Sequence, residues 1–154
     1  MKTIQFDVGH PAHVHLFKNA AKTLENSGYR VIWSALDREM IIELLESLSA
    51  NFTVSYQRQG GRIHLLKEIL PRTLKTLQIA YHNHSDVLIS MVNPTVGLPA
   101  WLLGKPYIAI TDTEPAHNQI KFAYPFASKV LTPDAFLTDL GAKHIRDHRY
   151  RTCP

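Results

Sequence analysis

The chain has 154 residues, 45% of them hydrophobic and 19% charged, with a formal net charge of +4. That is one domain's worth of ordinary globular sequence, long enough to bury a core and unlike the composition of disordered chains. Its one cysteine, Cys153, excludes a disulfide framework or a cysteine-based metal site and fits a reducing, cytoplasmic setting.

Asp7 and His10 interrupt any early apolar run, so no signal peptide is read. TIQFDV reads as a buried strand. From Pro11 to Ser27 the apolar positions Val14, Phe17, Ala20 or Ala21 and Leu24 recur at helical spacing, and Gly28 stops the helix. YRVIWSA is a second strand. Asp37 is expected to cap a second helix whose apolar face is Ile41, Leu44, Leu45 and Leu48. NFTVSY is a third strand, closed by the polar loop QRQGGR. A third helix follows from about Ile63 to His82, and Pro71 within it predicts a kink or a split.

DVLIS is a fourth strand, after which Asn93 caps a helix carrying Pro94 at its first position. The uncharged run VLISMVNPTVGLPAWLLG approaches the roughly 20 residues a membrane span needs, but Asn93-Pro94, Thr95 and Pro99 break it. It reads as a buried strand followed by a buried helix. KPYIAI is a fifth strand, TDTEPAHNQIKFAYP a loop and short helix, and SKVLT a sixth strand. Six alternations of strand and helix predict a Rossmann-like, doubly wound α/β fold: a mostly parallel sheet of about six strands with helices on both faces.

Ligands of such sheets sit outside the carboxyl ends of the strands, where strand order reverses. The loops predicted at that edge offer His10 and His13; Arg58, Gly60 and Gly61; Ser90 and Asn93; Asp112 and Glu114; and Thr132. The first turn carries HPAHVH where a dinucleotide fold would carry G-x-G-x-x-G. Three readings stay open for its histidines: a metal site completed by a carboxylate, with a spacing that matches no standard zinc pattern; His10 as a cap with His13 packed against it; or His13 as a general base or substrate hydrogen-bonder. Asp112 and Glu114 lie two apart, so on an extended segment they face one side and could divide acid from base, or one could cap the helix near Pro115. QRQGGR is either a backbone nest with arginines for an anion or a plain loop.

The net charge is concentrated, at about +4 over residues 57–82 and about +3 over 143–154. No nucleic-acid motif accompanies it. A patch facing phosphates or an anionic lipid surface is the expectation, with Arg58, Arg62, Arg72 and Lys75 as its members.

FDVGHPAHVHLFKNAAKTLENSGYRVIWSALD, PTVGLPAWLLGKPYIAITDTEPAHNQ and VLTP together resemble an uncharacterised bacterial and archaeal family, a domain of unknown function. The resemblance covers residues 1 to about 146, and HPAHVH and DTEPAH are its most specific parts. That family is similar to GT-B glycosyltransferases and UDP-N-acetylglucosamine 2-epimerases, which build a site between two Rossmann-like halves. AHVHL also resembles the Gly-Gly-His-Val-Phe turn of lipid-linked N-acetylglucosaminyltransferases, with His13 as the matching histidine and Pro11 and Ala12 in place of the glycines.

The resemblance implies that residues 1–146 are the acceptor-side, amino-terminal domain of a GT-B-like enzyme. That enzyme would move a sugar from a nucleotide-sugar to a hydroxyl acceptor, which could be lipid-linked. It implies catalytic roles for His13 and Glu114; from the chemistry of the edge loops Asp112 is expected to share that role and His10, Asn93, Ser90, Arg58, Gly60, Gly61 and Thr132 to bind substrate, with neither metal nor cofactor expected. The epimerases carry an aspartate where Asn93 stands, and an amide cannot serve as that acid or base, so glycosyl transfer stands ahead of an epimerase-like half. The third alternative is a non-catalytic Rossmann-like binding module or a truncated remnant. Residues 147–154 read as a basic, irregular tail and not as the start of a nucleotide-binding domain. The expectation is therefore that a second domain is missing and that this chain alone does not turn over, at the cytoplasmic face of the inner membrane or free of it.

Overall fold

The computed structural model describes residues 1–38, 40–57, 65–112 and 117–147. In chain order the elements are β1 (Thr3–Val8), α1 (Pro11–Asn26), β2 (Arg30–Asp37), α2 (Ile41–Ser47), β3 (Phe52–Gln57), α3 (Leu65–His82), β4 (Ser85–Met91), α4 (Pro94–Leu102), β5 (Tyr107–Ile110), α5 (His117–Ala123), β6 (Lys129–Pro133) and β7 (His144–Asp147). The strands form one sheet in the order β3-β2-β1-β4-β5-β6-β7, and every described pairing is parallel. Strand order reverses between β1 and β4, which places the ligand crevice of this fold class outside Val8 and Met91.

Two cores cover the sheet. On one face Phe6 and Val8 of β1, Val14 and Phe17 of α1, Trp33 of β2 and Leu45 of α2 pack together, with the Phe6 ring stacked on Trp33 at 5.0 Å. On the other, Leu88 of β4, Val96 of α4, Tyr107 of β5, Ala123 of α5 and Val130 of β6 form the second. Gly97 lets α4 approach β5, because a Cβ there would stand 3.0 Å from the Phe126 Cβ and 3.1 Å from the Tyr107 ring.

The alternation of TIQFDV has a particular meaning. Ile4, Phe6 and Val8 enter the first core, while Thr3, Gln5 and Asp7 are buried on the opposite side. That second side is polar. Ser85 donates to Gln5 Oε1 at 2.8 Å, Gln5 donates to Ser34 at 3.1 Å, and Ser34 donates to Asp7 Oδ2 at 2.8 Å. The buried side chains of Gln5 and Asp7 are thus both hydrogen-bonded on this side of the sheet.

The expected doubly wound parallel sheet of about six strands is the one observed, with HIRD adding β7, a short strand with no buried position and little apolar periodicity to read. Two local expectations are corrected. Asp37 does not cap α2. It is the last residue of β2, paired in register with Gln57, and the helix opens at Ile41 behind Met40 with no side-chain cap. Of the kink or split expected at Pro71, the split is the part corrected: α3 runs from Leu65 to His82 as one helix with the proline inside it. No described helix is long and apolar enough to cross a membrane, and the run 87–104 is β4 and α4 as expected.

Candidate functional site

The turn from β1 into α1 closes on itself. His10 is the N-cap residue of α1, and its Nδ1 accepts from the Ala12 amide at 3.2 Å. His13 Nδ1 accepts from the Gly9 amide at 3.3 Å, and the His13 amide donates to the His10 carbonyl at 2.9 Å. Pro11 has no N–H to offer. The amides that cradle phosphate at other helix N-termini are thus held by the turn's own imidazoles and backbone.

An amide N–H only donates, so Nδ1 of His13 is an acceptor and the neutral ring carries its proton on Nε2. Burial holds the His13 pKa below its ordinary 6.5, helped by the neighbouring His10, whose ring centroid is 5.9 Å away, and by Arg72; Asp7 and Asp112 pull the other way. At neutral pH His13 is an uncharged, half-buried donor at the mouth of the crevice. His15 is exposed on the outer side of α1. Among the described residues no group of three His, Cys, Asp or Glu could hold a metal ion.

Behind this turn lies a contact that sequence reasoning did not anticipate. Arg72 of α3 was assigned to the surface patch, but its residue is 9% exposed and its guanidinium meets Asp7 Oδ1 at 2.8 Å. The same guanidinium sits beneath Gly9, where a Cβ would come within 3.4 Å of it. The sole sequence signal was negative: Asp7 is a carboxylate inside a buried strand, which demands a cation.

The other predicted residues fall into three groups. Asp112 is exposed just past β5 and close enough to act electrostatically on His13. Asn93 caps α4, its Oδ1 accepting from the Thr95 amide at 3.0 Å and the Thr95 hydroxyl at 2.9 Å. Ser90 is buried, its hydroxyl 2.9 Å from the Tyr107 hydroxyl, and Thr132 is buried 2.8 Å from His144 Nε2. Ser90 and Thr132 are thereby engaged inside the fold, while His10, His13, Asn93 and Asp112 collect around the reversal of strand order. Arg58, Gly60, Gly61 and Glu114 lie outside the described residues.

Beside the histidine turn an apolar cavity of about 190 Å³ opens between Leu16, Phe17 and Ala20 of α1, Ile110 of β5, Leu131, Thr132 and Pro133 of β6, and Asp147 of β7, so the predicted Thr132 lines it. Positions 13, 16, 17 and 20 share one helical face, so His13 lies one helical turn from the cavity along α1.

No protein-family model and no curated protein matches the sequence. Solved structures match the fold. The chain is similar to MurG of Acinetobacter baumannii, with a TM-score of 0.78, 21% identity, and coverage of 95% of this chain and 45% of that one. It is similar to a putative UDP-N-acetylglucosamine 2-epimerase of Listeria monocytogenes (TM-score 0.65, 11% identity, 86% and 38% covered) and to the glycosyltransferase SsfS6 of Streptomyces sp. SF2575 (0.64, 15%, 86% and 50%). The chain spans half or less of the length of each. Its seven parallel strands and flanking helices are the Rossmann-like fold of the amino-terminal domain of GT-B glycosyltransferases, a fold shared with the UDP-N-acetylglucosamine 2-epimerases.

Proposed function

We propose that this chain is the acceptor-side half of a GT-B-like glycosyltransferase of the cytoplasm, and that His13 meets the acceptor hydroxyl. The observation that carries the reading is the self-closed turn: a site whose amides are occupied by its own imidazoles and backbone favours a neutral hydroxyl over a dinucleotide phosphate. In the tautomer held by Gly9, His13 donates from Nε2 to the acceptor oxygen. Asp112 receives the acceptor proton as that oxygen bonds to the anomeric carbon, and the nucleoside diphosphate leaves with the electron pair of the broken C–O bond. The nucleotide-sugar is held by a second half. Asn93, an amide already committed to capping α4, leaves an epimerase without its acid at that position.

The apolar cavity beside His13 suits an acceptor with an apolar portion, and an apolar stripe on the outer surface suits a lipid-linked one. Leu70, Leu74 and Tyr81 of α3, with Trp101 and Leu102 of the adjacent α4, are each more than half exposed. With the net positive charge of the chain, this stripe favours peripheral contact with an anionic membrane. Arg72 contributes nothing to that surface, being buried against Asp7.

The test is an amide-detected NMR titration of the chain with UDP-, GDP- and CMP-sugars and, separately, with undecaprenyl-type lipid-linked saccharides in detergent. Shifts at Gly9, His13 and Asn93 with the lipid-linked saccharides alone support the reading. Shifts at the same amides with a nucleotide-sugar, lost in His13→Ala, would assign the turn to the donor and end it.

A further inference from the structure

The environment of His13 contains one feature that acceptor binding does not require: a buried ion pair reaching it from the far side of the sheet. Arg72 stands on α3, 65 positions from Asp7 in the chain, and crosses under the end of β1 to meet that carboxylate. Ser34 holds the other carboxylate oxygen, so Asp7 is fixed on both sides. Arg72 Nε has no partner among the described residues, although it is buried. Removing two charges from water is costly and a buried pair brings little net stability, so an apolar pair of similar volume would hold the layers together as well.

The location of the pair gives it another use. The β1–α1 turn rests on the Arg72 guanidinium and on Leu36, the two groups that a Cβ at Gly9 would meet at 3.4 and 3.1 Å. The Gly9 amide in turn determines which nitrogen of His13 carries the proton. Two of the links are hydrogen bonds, Asp7 to Arg72 and Gly9 to His13, and between them the guanidinium lies near enough to Gly9 that an added Cβ would touch it.

We propose that the Asp7–Arg72 pair is the positioning device of the His13 site, with Arg72 setting the height of the Gly9 turn and hence the tautomer His13 presents. The inference rests on His13 as the acceptor-facing residue, and Arg72 acts on it only through Gly9 and through charge. The charged and titratable groups acting on the imidazole come from each side: His10 on its own turn, Asp7 from β1, Arg72 from α3 and Asp112 from the end of β5. Asp7 and Arg72 act on the ring with opposite sign, so each offsets part of the other's effect. A lone cation or anion beneath the turn would lack that offset.

The experiment needs no substrate. Long-range ¹H–¹⁵N spectra of the chain report the His13 tautomer and titration in the parent, Arg72→Met, Asp7→Asn and the double variant. Arg72→Met should raise the His13 titration midpoint and Asp7→Asn should lower it. The double variant carries no lone buried charge and is the one expected to fold if a single change does not. It should return the midpoint toward the parent's while losing the pure Nε2–H tautomer and speeding exchange of the Gly9 amide. A scaffolding pair would do neither: shifts of one sign in both single variants, or a double variant with the parent's tautomer and Gly9 protection, overturn the proposal. Failure of acceptor saccharides to perturb His13 while these variant effects persist would sink the functional reading and leave the positioning device standing.

Discussion

The Tyr107 hydroxyl receives the Asn93 amide at 3.0 Å, tying the fifth strand to the loop that leads from β4 into α4. The same oxygen lies 2.9 Å from the Ser90 hydroxyl and donates to the Met91 carbonyl at 3.3 Å. Tyr107 is wholly buried, and burial drives its pKa far above the ordinary value, so it is a neutral phenol at any working pH. One side chain thus pins one wall of the crevice.

Tyr107→Phe should therefore cost more than the loss of an oxygen from a core ring. The Asn93 amide loses its acceptor, while the Ser90 hydroxyl keeps the Met91 carbonyl at 2.6 Å, for about 1–3 kcal/mol. In a chain of this size each ~1 kcal/mol moves the melting temperature by about 2–4 °C. A melting curve within about 1 °C of the parent's would show that water replaces the phenol at no cost.

Asn93 separates capping from chemistry. Asn93→Ala removes the acceptor for the Thr95 amide and should cost ~1 kcal/mol, while Asn93→Asp keeps a capping oxygen and should melt close to the parent. Calorimetric melts of the two variants decide it; equal losses would mean the Oδ1 contact contributes nothing to α4.

Gly97→Ala tests the closest approach of helix to sheet. The new methyl would meet the Phe126 Cβ, which cannot swing away, and the face of Tyr107. Overpacking of this kind costs about 1–3 kcal/mol, read as a lower urea midpoint at unchanged slope.

The depressed pKa of His13 gives stability a pH dependence of definite sign. Below pH 6.5 the unfolded chain takes up a proton that the folded site resists, so the unfolded state binds more protons and stability rises with pH there. The contribution is fully present above 6.5 and is lost as pH falls through the folded pKa. Urea unfolding between pH 5 and 7.5 should show a shallower dependence in His13→Asn than in the parent; parallel curves would mean the ring titrates alike in both states.

The apolar stripe of α3 predicts a membrane readout. The parent should sediment with phosphatidylglycerol vesicles and far less with phosphatidylcholine. Leu70→Glu combined with Leu74→Glu should abolish sedimentation without lowering the melting temperature, both side chains being more than half exposed. Unchanged sedimentation would dismiss the stripe as a docking surface.

The helix caps of His10 and Asn93 were legible because a cap is local: a polar side chain, then a proline, within two residues. The doubly wound order was legible from alternation alone. What escaped was set by distance along the chain. Arg72 was grouped with its neighbours by charge, and only the folded chain shows that its partner lies 65 residues earlier. Asp37 was misjudged for a related reason: Asp at the end of a strand suits a cap equally well, and only the pairing of Leu36 with Tyr56 and Asp37 with Gln57 shows the strand running on. Ser90 and Thr132 were placed at the correct edge, but a side chain's partner is not written in its position, and theirs are Tyr107 and His144.

Because β1 lies between β2 and β4, the first strand made is completed by one of the later ones. Its pairing with β2 joins residues near in sequence, Thr3 to Arg30, whereas its pairing with β4 joins Thr3 to Ser85. Closing the larger loop comes at a greater loss of chain entropy, so β1, α1, β2, α2 and β3 can assemble while the second edge of β1 waits. Until β4 arrives, Gln5 lacks the Ser85 hydroxyl. Until α3 packs, Asp7 lacks its cation. The two walls of the crevice thus come from segments far apart in the chain, and the turn between them is complete only when both are in place.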